Sequence, residues 1–326
     1  MIADSAVKVA EIIAEKNSFL ILPHVSVDGD DLGSMLAMGM SLKKMGKRAV
    51  LFCQDRIPDS FSLISGKYPI LQEIPKERFD AAILLECSDW GRLPEGIDVN
   101  GSADMIINID HHPDNTFYGD VNWVDPSSAA VGEMVFELIK RLNSPLDIDI
   151  ATSLYMAILT DTGAFQYSNV TARTHAIISE LLAFPIDVNA ISRSIYREMD
   201  YEVLKLMGKM FSGSRRTSDG RLVWATLTSE MFKKTGAGDE NIQHFVDGLS
   251  QAKGAEVTVL FKEMNGESNK FKVSLRSNTI PVNEVAALFG GGGHRQAAGC
   301  TLDGPIGSSR RKVLSAVKAL LYRPRA

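Results

Sequence analysis

The sequence predicts an α/β protein: a mainly parallel N-terminal sheet, then a smaller α/β domain. Three observations predict it. Short, continuous apolar runs recur along the first part of the chain, as expected of strands buried on both faces. Helix-patterned segments separate these runs, giving a βαβ rhythm. Beyond about residue 200 the pattern changes to alternating, half-buried strands.

The elements follow in order. Met1 to Lys16 carries Asp4, Glu11 and Glu15 among Val9, Ile12 and Ile13, which reads as an amphipathic helix and not a signal peptide. Phe19-Leu20-Ile21-Leu22 ends at Pro23-His24 and reads as the first strand. Leu32 to Met45 is helical, with Gly46 as its C-cap. Ala49 to Phe52, Ala81 to Leu85 and Met105 to Ile109 are further strands, and Ala129 to Leu142 and Ile150 to Leu159 are helices. Helices are expected on both faces of the sheet. Pro185 to Lys209 reads as a helical connector. The expected division is residues 1–185, a linker at 186–212, and a second domain at 213–326. There, Leu222 to Leu227, Glu256 to Lys262 and Phe271 to Ser277 read as strands. Val282 to Phe289 reads as a helix preceding four glycines, and Tyr322 to Ala326 as a frayed basic tail.

Composition narrows the function classes. Of the 326 residues, 45% are apolar and 23% charged, enough apolar surface for packed cores and so against general disorder. No apolar run approaches the ~18 residues of a membrane span. Cys53, Cys87 and Cys300 are far apart, which excludes a disulfide framework and a structural zinc site, and makes the cytoplasm the expected compartment. Charge is uneven: residues 1–215 carry a net −11 and residues 216–326 a net +6. An acidic first part suits cations and a basic second part suits anions. Overall acidity argues against a protein that coats long nucleic acid.

Four clusters of potential metal ligands stand out. They are His24-x-x-x-Asp28-Gly-Asp30, Glu86-Cys87-Ser88-Asp89, Asp110-His111-His112 and Asp161-Thr162-Gly163. Three follow predicted strands, and ligands of open parallel sheets bind beyond the carboxyl ends of the strands. Singly, an Asp after a strand is more often a turn former or helix cap, and a lone His more often structural or a surface residue. Together they supply imidazole and carboxylate in numbers that suit two ions sharing a carboxylate. Such mixed donors favour Mn²⁺, with Mg²⁺, Co²⁺ or Fe²⁺ as alternatives.

The glycine tract is the fifth feature. Gly290-Gly291-Gly292-Gly293-His294-Arg295 follows Arg276-Ser277 by a short helical segment. Glycines allow backbone N–H groups to form an anion-binding concavity. Arg276 and His294 add phosphate donors. No G-K-[ST] follows, so a Walker-type nucleotide site is excluded.

With these residues in hand, the chain resembles the DHH phosphoesterase superfamily. The likeness covers nearly the whole chain and rests on His24-x-x-x-Asp28-x-Asp30, Asp110-His111-His112, Asp161-Thr-Gly and Gly291-Gly-Gly-His294. It is closest to the nanoRNase and adenosine-3′,5′-bisphosphate phosphatase branch, relatives of the RecJ exonuclease. The resemblance implies one Mn²⁺ on His24, Asp28 and the second-motif acid. It implies a second on Asp30, the same acid, His111 and Asp161. That acid is normally Asp, and here the position is Glu86. Three readings stand: Glu86 bridges the ions, Asp89 does, or the metal pair is altered.

The same resemblance implies that His112, beside Asp110, contacts the scissile phosphate. Arg276, Ser277, Gly291, Gly292, Gly293 and His294 would hold another phosphate of the substrate, and Arg92 is a further candidate contact. The implied activity is Mn²⁺-dependent hydrolysis of short oligoribonucleotides, adenosine 3′,5′-bisphosphate, or linear dinucleotides such as pGpG, in a cleft between two domains. A cyclic-dinucleotide phosphodiesterase and a non-catalytic nucleotide-binding protein are the alternatives. A homodimer is the implied assembly.

Overall fold

The computed structural model describes residues 2–238, 243–264, 269–293 and 295–323. The chain divides into two compact units, Met1–Glu198 and Met199–Ala326. Among the described residues, no helix is long and apolar enough to cross a membrane.

The first unit is built on a six-stranded sheet in which every pairing is parallel. Its strands are β1 (Ser18–Leu22), β2 (Arg48–Phe52), β3 (Ile70–Leu71), β4 (Ala81–Leu85), β5 (Ile106–Asp110) and β6 (Val121–Val124). Their order is β3-β2-β1-β4-β5-β6. The four apolar runs of the sequence are β1, β2, β4 and β5. The other two lack that signal: β3 has two residues, and β6 is interrupted by Asn122.

Successive strand residues feed opposite cores. Phe19, Ile21, Ile83, Leu85, Ile107 and Ile109 join the core built with the helices. Those helices are α1 (Ile2–Glu15), α2 (Gly29–Lys44), α3 (Val131–Arg141), α4 (Ile148–Asp161), α5 (Ala172–Leu181) and α6 (Val188–Tyr196). Leu20, Leu22, Ala82, Leu84 and Ile106 pack instead with Phe79, Leu93 and Val99. This second face carries irregular chain and the four-residue helix Val99–Ser102, correcting the expectation of helices on both faces. The covering segments contain Pro75, Pro94, Gly91 and Gly96, which break helices.

Helix α2 is buried on all sides from Gly29 to Leu42. Asp28 is its N-cap, accepting hydrogen bonds from the backbone N–H groups of Asp30 (2.9 Å) and Asp31 (3.2 Å). The helix therefore starts at Gly29, three residues earlier than its apolar pattern suggests. It lies tightly against α4: a Cβ at Gly33 would stand 2.4 Å from the Ser153 carbonyl oxygen. Only glycine permits that approach.

The second unit holds a mixed sheet ordered β11-β12-β10-β9-β8-β7. Its strands are β7 (Arg215–Arg216), β8 (Leu222–Leu227), β9 (Val257–Glu263), β10 (Lys270–Ser277), β11 (Gly292–Gly293) and β12 (Ala297–Asp303). Among the described residues, only the β8–β9 pairing is parallel. Its helices are α7 (Tyr201–Ser212), α8 (Ser229–Thr235), α9 (Gln243–Ser250), α10 (Val282–Ala287) and α11 (Ile306–Leu321). Phe271, Val273 and Leu275 of β10 are buried and Lys272 is exposed, the alternation read from the sequence. Val282, Val285, Val313 and Val317 pack in one core, and Val203, Leu206, Phe232 and Phe245 in another. The helical stretch Pro185 to Lys209 thus splits between the units: α6 gives Ile191 and Ile195 to the first, and α7 gives Val203 and Leu206 to the second. Tyr322 is not frayed. Its hydroxyl donates to Asp219 Oδ2 at 2.7 Å and its ring lies under Arg221. Residues 324–326 of the tail lie outside the described residues.

Candidate metal centre

Strands β1, β4 and β5 are neighbours, so the segments leaving their carboxyl ends stand side by side. His24 follows β1, Glu86 follows β4, and Asp110, His111 and His112 close or follow β5. Asp161 is the last residue of α4, which packs against α2. Three groups of side chains have ligand atoms within 4.8 Å of one another: His24, Asp28, Asp31 and Glu86; Asp30, His111 and Asp161; and Glu86, His111 and His112. All six proposed ligands from the sequence fall in these groups. Glu86 belongs to two of them. Asp89 belongs to none and caps the turn Trp90–Arg92, accepting from Gly91 N–H at 2.6 Å. Asp31 is the member that sequence reasoning missed. Its only signal was a third acid in Asp28-Gly-Asp30-Asp31, more negative charge than capping one helix requires.

Backbone contacts orient both metal-type histidines. His24 Nδ1 is 2.7 Å from the Val25 carbonyl oxygen, and His111 Nδ1 is 3.0 Å from that of Ser128. A carbonyl only accepts, so each Nδ1 carries hydrogen and each neutral ring turns a lone pair outward at Nε2. His111 Nε2 lies 3.5 Å from Asp161 Oδ2 and 3.9 Å from Glu86 Oε1. Asp30 is fixed by the start of α3: it accepts from Val131 N–H (2.6 Å) and Gly132 N–H (2.8 Å), and from the Ser34 hydroxyl (3.0 Å).

Glu86 adopts φ +56°, a left-handed conformation that costs a non-glycine residue roughly 1–3 kcal/mol. Its side chain is 2% exposed, and Oε2 has no hydrogen-bond partner among the described residues. A backbone held against its preference and an unbonded buried carboxylate oxygen both mark a position shaped for a ligand.

The charges cannot all persist unassisted. Two like charges ~4 Å apart repel by roughly 4 kcal/mol at an effective dielectric of 20. Burial, then Asp161, pushes Asp30 up to about 8. Burial, then the Asp28 charge, pushes Asp161 up to about 6 against the pull of His111. Burial and the neighbouring carboxylates also raise Asp31 and Glu86 well above the usual range. His24 is lowered, chiefly by burial. Burial opposes the charged form of His111, but Asp161 and Asp30 outweigh it and raise the group. A hard divalent cation suits this donor set of carboxylates and two imidazoles, because it replaces the protons and satisfies the unbonded oxygens.

Asp110 differs from its neighbours. Burial works against its charge, but hydrogen bonds from His112 and Asn115 hold it below the usual carboxylate range. His112 Nδ1 lies 2.8 Å from Asp110 Oδ1, and Asn115 Nδ2 donates to Oδ2 at 2.6 Å. Asp110 therefore orients His112 and is itself oriented by Asn115. Asn115 also donates to Asn108 Oδ1 at 2.8 Å. Arg92, half-buried on the turn after Asp89, places a positive charge that His24 and Asp31 both sense.

The second unit holds the other predicted residues. Arg276 Nε donates to Asp247 Oδ1 at 2.9 Å. Ser277 is buried, and its hydroxyl oxygen accepts from Thr279 N–H (3.1 Å) and Ile280 N–H (2.9 Å), closing the turn before α10. Gly292 and Gly293 form the edge strand β11 against Gly299 and Ala298. Gly293 has φ +129°, and a Cβ there would meet the Ala297 carbonyl oxygen at 2.6 Å. Gly291 sits 2.1 Å, by the same measure, from the Gly299 carbonyl oxygen. The tract is thus a tightly seated turn and strand. His294 lies outside the described residues.

The chain is similar to known proteins over most of its length. Residues 18–158 match the DHH family, N-terminal domain, and residues 220–323 match the DHHA1 domain. The chain is 32% identical over 322 residues to a protein of Thermus thermophilus named bifunctional oligoribonuclease and PAP phosphatase NrnA, covering 97% of this chain and 94% of the relative. A Bacillus subtilis protein of the same name is 27% identical over 296 residues, covering 88% of this chain and 90% of that one. The crystal structure of an exopolyphosphatase-related protein from Bacteroides fragilis superposes with a TM-score of 0.89 at 27% identity, covering 97% of this chain and 96% of that one.

Proposed function

This chain belongs to the DHH family, and from that premise we propose that it is a metal-dependent phosphoesterase acting on short oligoribonucleotides and adenosine 3′,5′-bisphosphate. The observation that carries the reading is the convergence of His24, Asp28, Asp30, Glu86, His111 and Asp161 beyond three adjacent strands, with a Glu86 oxygen buried and unbonded. The names of the full-length relatives support the substrate class.

In this reading those six residues hold two divalent ions, Mn²⁺ first, with Mg²⁺ or Co²⁺ as substitutes. Bound divalent ions polarise phosphoryl oxygens and make water acidic enough to ionise near neutrality. The chain's own residues do the rest. Asp110 holds the Nδ1 proton of His112 and so turns Nε2 of that ring outward. A proton carried at His112 Nε2 would pass to the leaving oxygen or to a phosphate oxygen. Arg92 adds positive charge for the substrate's phosphate. In the second unit Arg276, steadied by Asp247, and the Gly291–Gly293 turn with His294 bind a further phosphate. The buried thiols Cys53, Cys87 and Cys300 suit a reducing cytoplasm, and a homodimer is the proposed assembly.

The test is a digest of 5′-labelled RNAs from about two to twenty-four nucleotides with Mn²⁺, with EDTA, and with Asp28→Ala. Adenosine 3′,5′-bisphosphate is assayed in parallel. The expected result is Mn²⁺-dependent loss of the shortest RNAs and of the bisphosphate, absent in the variant. No hydrolysis by a folded, metal-loaded protein would sink the proposal.

A further inference from the structure

We propose that Asp31 is itself a metal ligand, completing with His24, Asp28 and Glu86 a four-residue site for one cation. This rests on the reading above that the centre takes divalent ions, and deepens it. Asp31 is completely buried in the first turn of α2. One oxygen has a structural partner: Oδ1 accepts from the His24 backbone N–H at 3.3 Å. The other, Oδ2, stands 3.0 Å from His24 Nε2 and has no hydrogen-bond partner among the described residues.

His24 Nδ1 faces the Val25 carbonyl and carries the hydrogen, so neutral His24 presents a lone pair at Nε2. An ionised carboxylate oxygen and a nitrogen lone pair repel at 3.0 Å unless a proton or a cation lies between them. They become compatible when both point to one cation. Glu86 repeats the pattern, with Oε2 also buried and unbonded. Ligand atoms of all four residues lie within 4.8 Å of one another. Three carboxylates and one imidazole make an oxygen-rich set, which suits Mn²⁺ or Mg²⁺ more than Zn²⁺.

The rival role for Asp31 is to position His24. Asp31→Asn separates the two. Asparagine keeps the oxygen facing His24 N–H, and its amide can donate to His24 Nε2, so it satisfies a positioning role. It is a poor substitute for a carboxylate ligand. Mn²⁺ binding to wild type and D31N is measured by calorimetry and by metal content after gel filtration, with folding read by circular dichroism in EDTA. The expected result is a folded variant whose tightest Mn²⁺ site is weakened at least about 100-fold, more than the ~10–100-fold loss typical of an outer-shell partner. Its thermal stability in EDTA should equal or exceed that of wild type. Unchanged Mn²⁺ affinity and stoichiometry in D31N would overturn the proposal. Failure of D31N to fold in EDTA would overturn it as well, since the carboxylate would then serve the fold. Wild type that binds no Mn²⁺ would instead defeat the functional reading on which this proposal rests.

Discussion

The two units treat charge in opposite ways. In the first, Asp30, Asp31, Glu86, His24 and His111 are nearly sealed from solvent, and burial together with their mutual field displaces their proton affinities. In the second, Arg276 and Asp247 form a pair about one-third exposed, of the kind worth roughly 0–1 kcal/mol. Burial makes the first cluster costly to build and strong once a cation arrives. Exposure makes the second cheap to build and weak in its grip. The proposed function accordingly assigns chemistry to the buried cluster and substrate affinity to the exposed one.

The comparison breaks first, and most sharply, at the buried carboxylates. Asp28→Ala should lower kcat about 10³-fold or more while the second unit stays folded. A variant retaining a tenth of the activity would end the distinction between the units. The next effect is smaller. Asp110→Asn removes the acceptor charge behind His112 but none of the six proposed ligands. Turnover should fall about 10²-fold, within the range for general acid–base groups, with bound Mn²⁺ unchanged by elemental analysis. In the exposed site, Arg276→Ala should raise KM for adenosine 3′,5′-bisphosphate about 10-fold and leave kcat within about twofold. A fall in kcat as large as that of Asp110→Asn would mean the second unit shares in the chemistry.

The smallest effect is on stability, and its sign follows from the displaced carboxylates. Asp30 at about 8 and Asp161 at about 6 both lie above their ordinary value of 3.8. Between about pH 4 and pH 8 the folded, metal-free chain thus holds protons that the unfolded chain has lost. Its stability falls as pH rises through that window. In EDTA the melting temperature should be at least about 3 °C lower at pH 8 than at pH 5, and saturating Mn²⁺ should abolish the drop. A flat profile in EDTA would show that these carboxylates do not carry raised proton affinity.

By itself the sequence determined a good deal. Runs such as Ala81 to Leu85 are strands because five apolar residues in a row suit burial on both faces. The rule that parallel sheets bind beyond their carboxyl ends then gathers Asp28, Glu86 and Asp110-His111-His112 toward one edge, before any side chain is placed. The alternation in Phe271 to Ser277 likewise identifies β10. Other features depended on partners distant in the chain. That the helices cover one face follows from the helix breakers in the segments across the other. In sequence Asp31 is one more first-turn acid, and only the fold sets its oxygen against His24 Nε2. Ser277 reads as a phosphate contact in sequence, but its hydroxyl closes a local turn. The left-handed backbone of Glu86 has no local signature at all. Periodicity and composition act between neighbours along the chain, so the sequence displays them. The direction of a buried lone pair, and the field of a carboxylate a hundred residues away, exist only once the chain has folded.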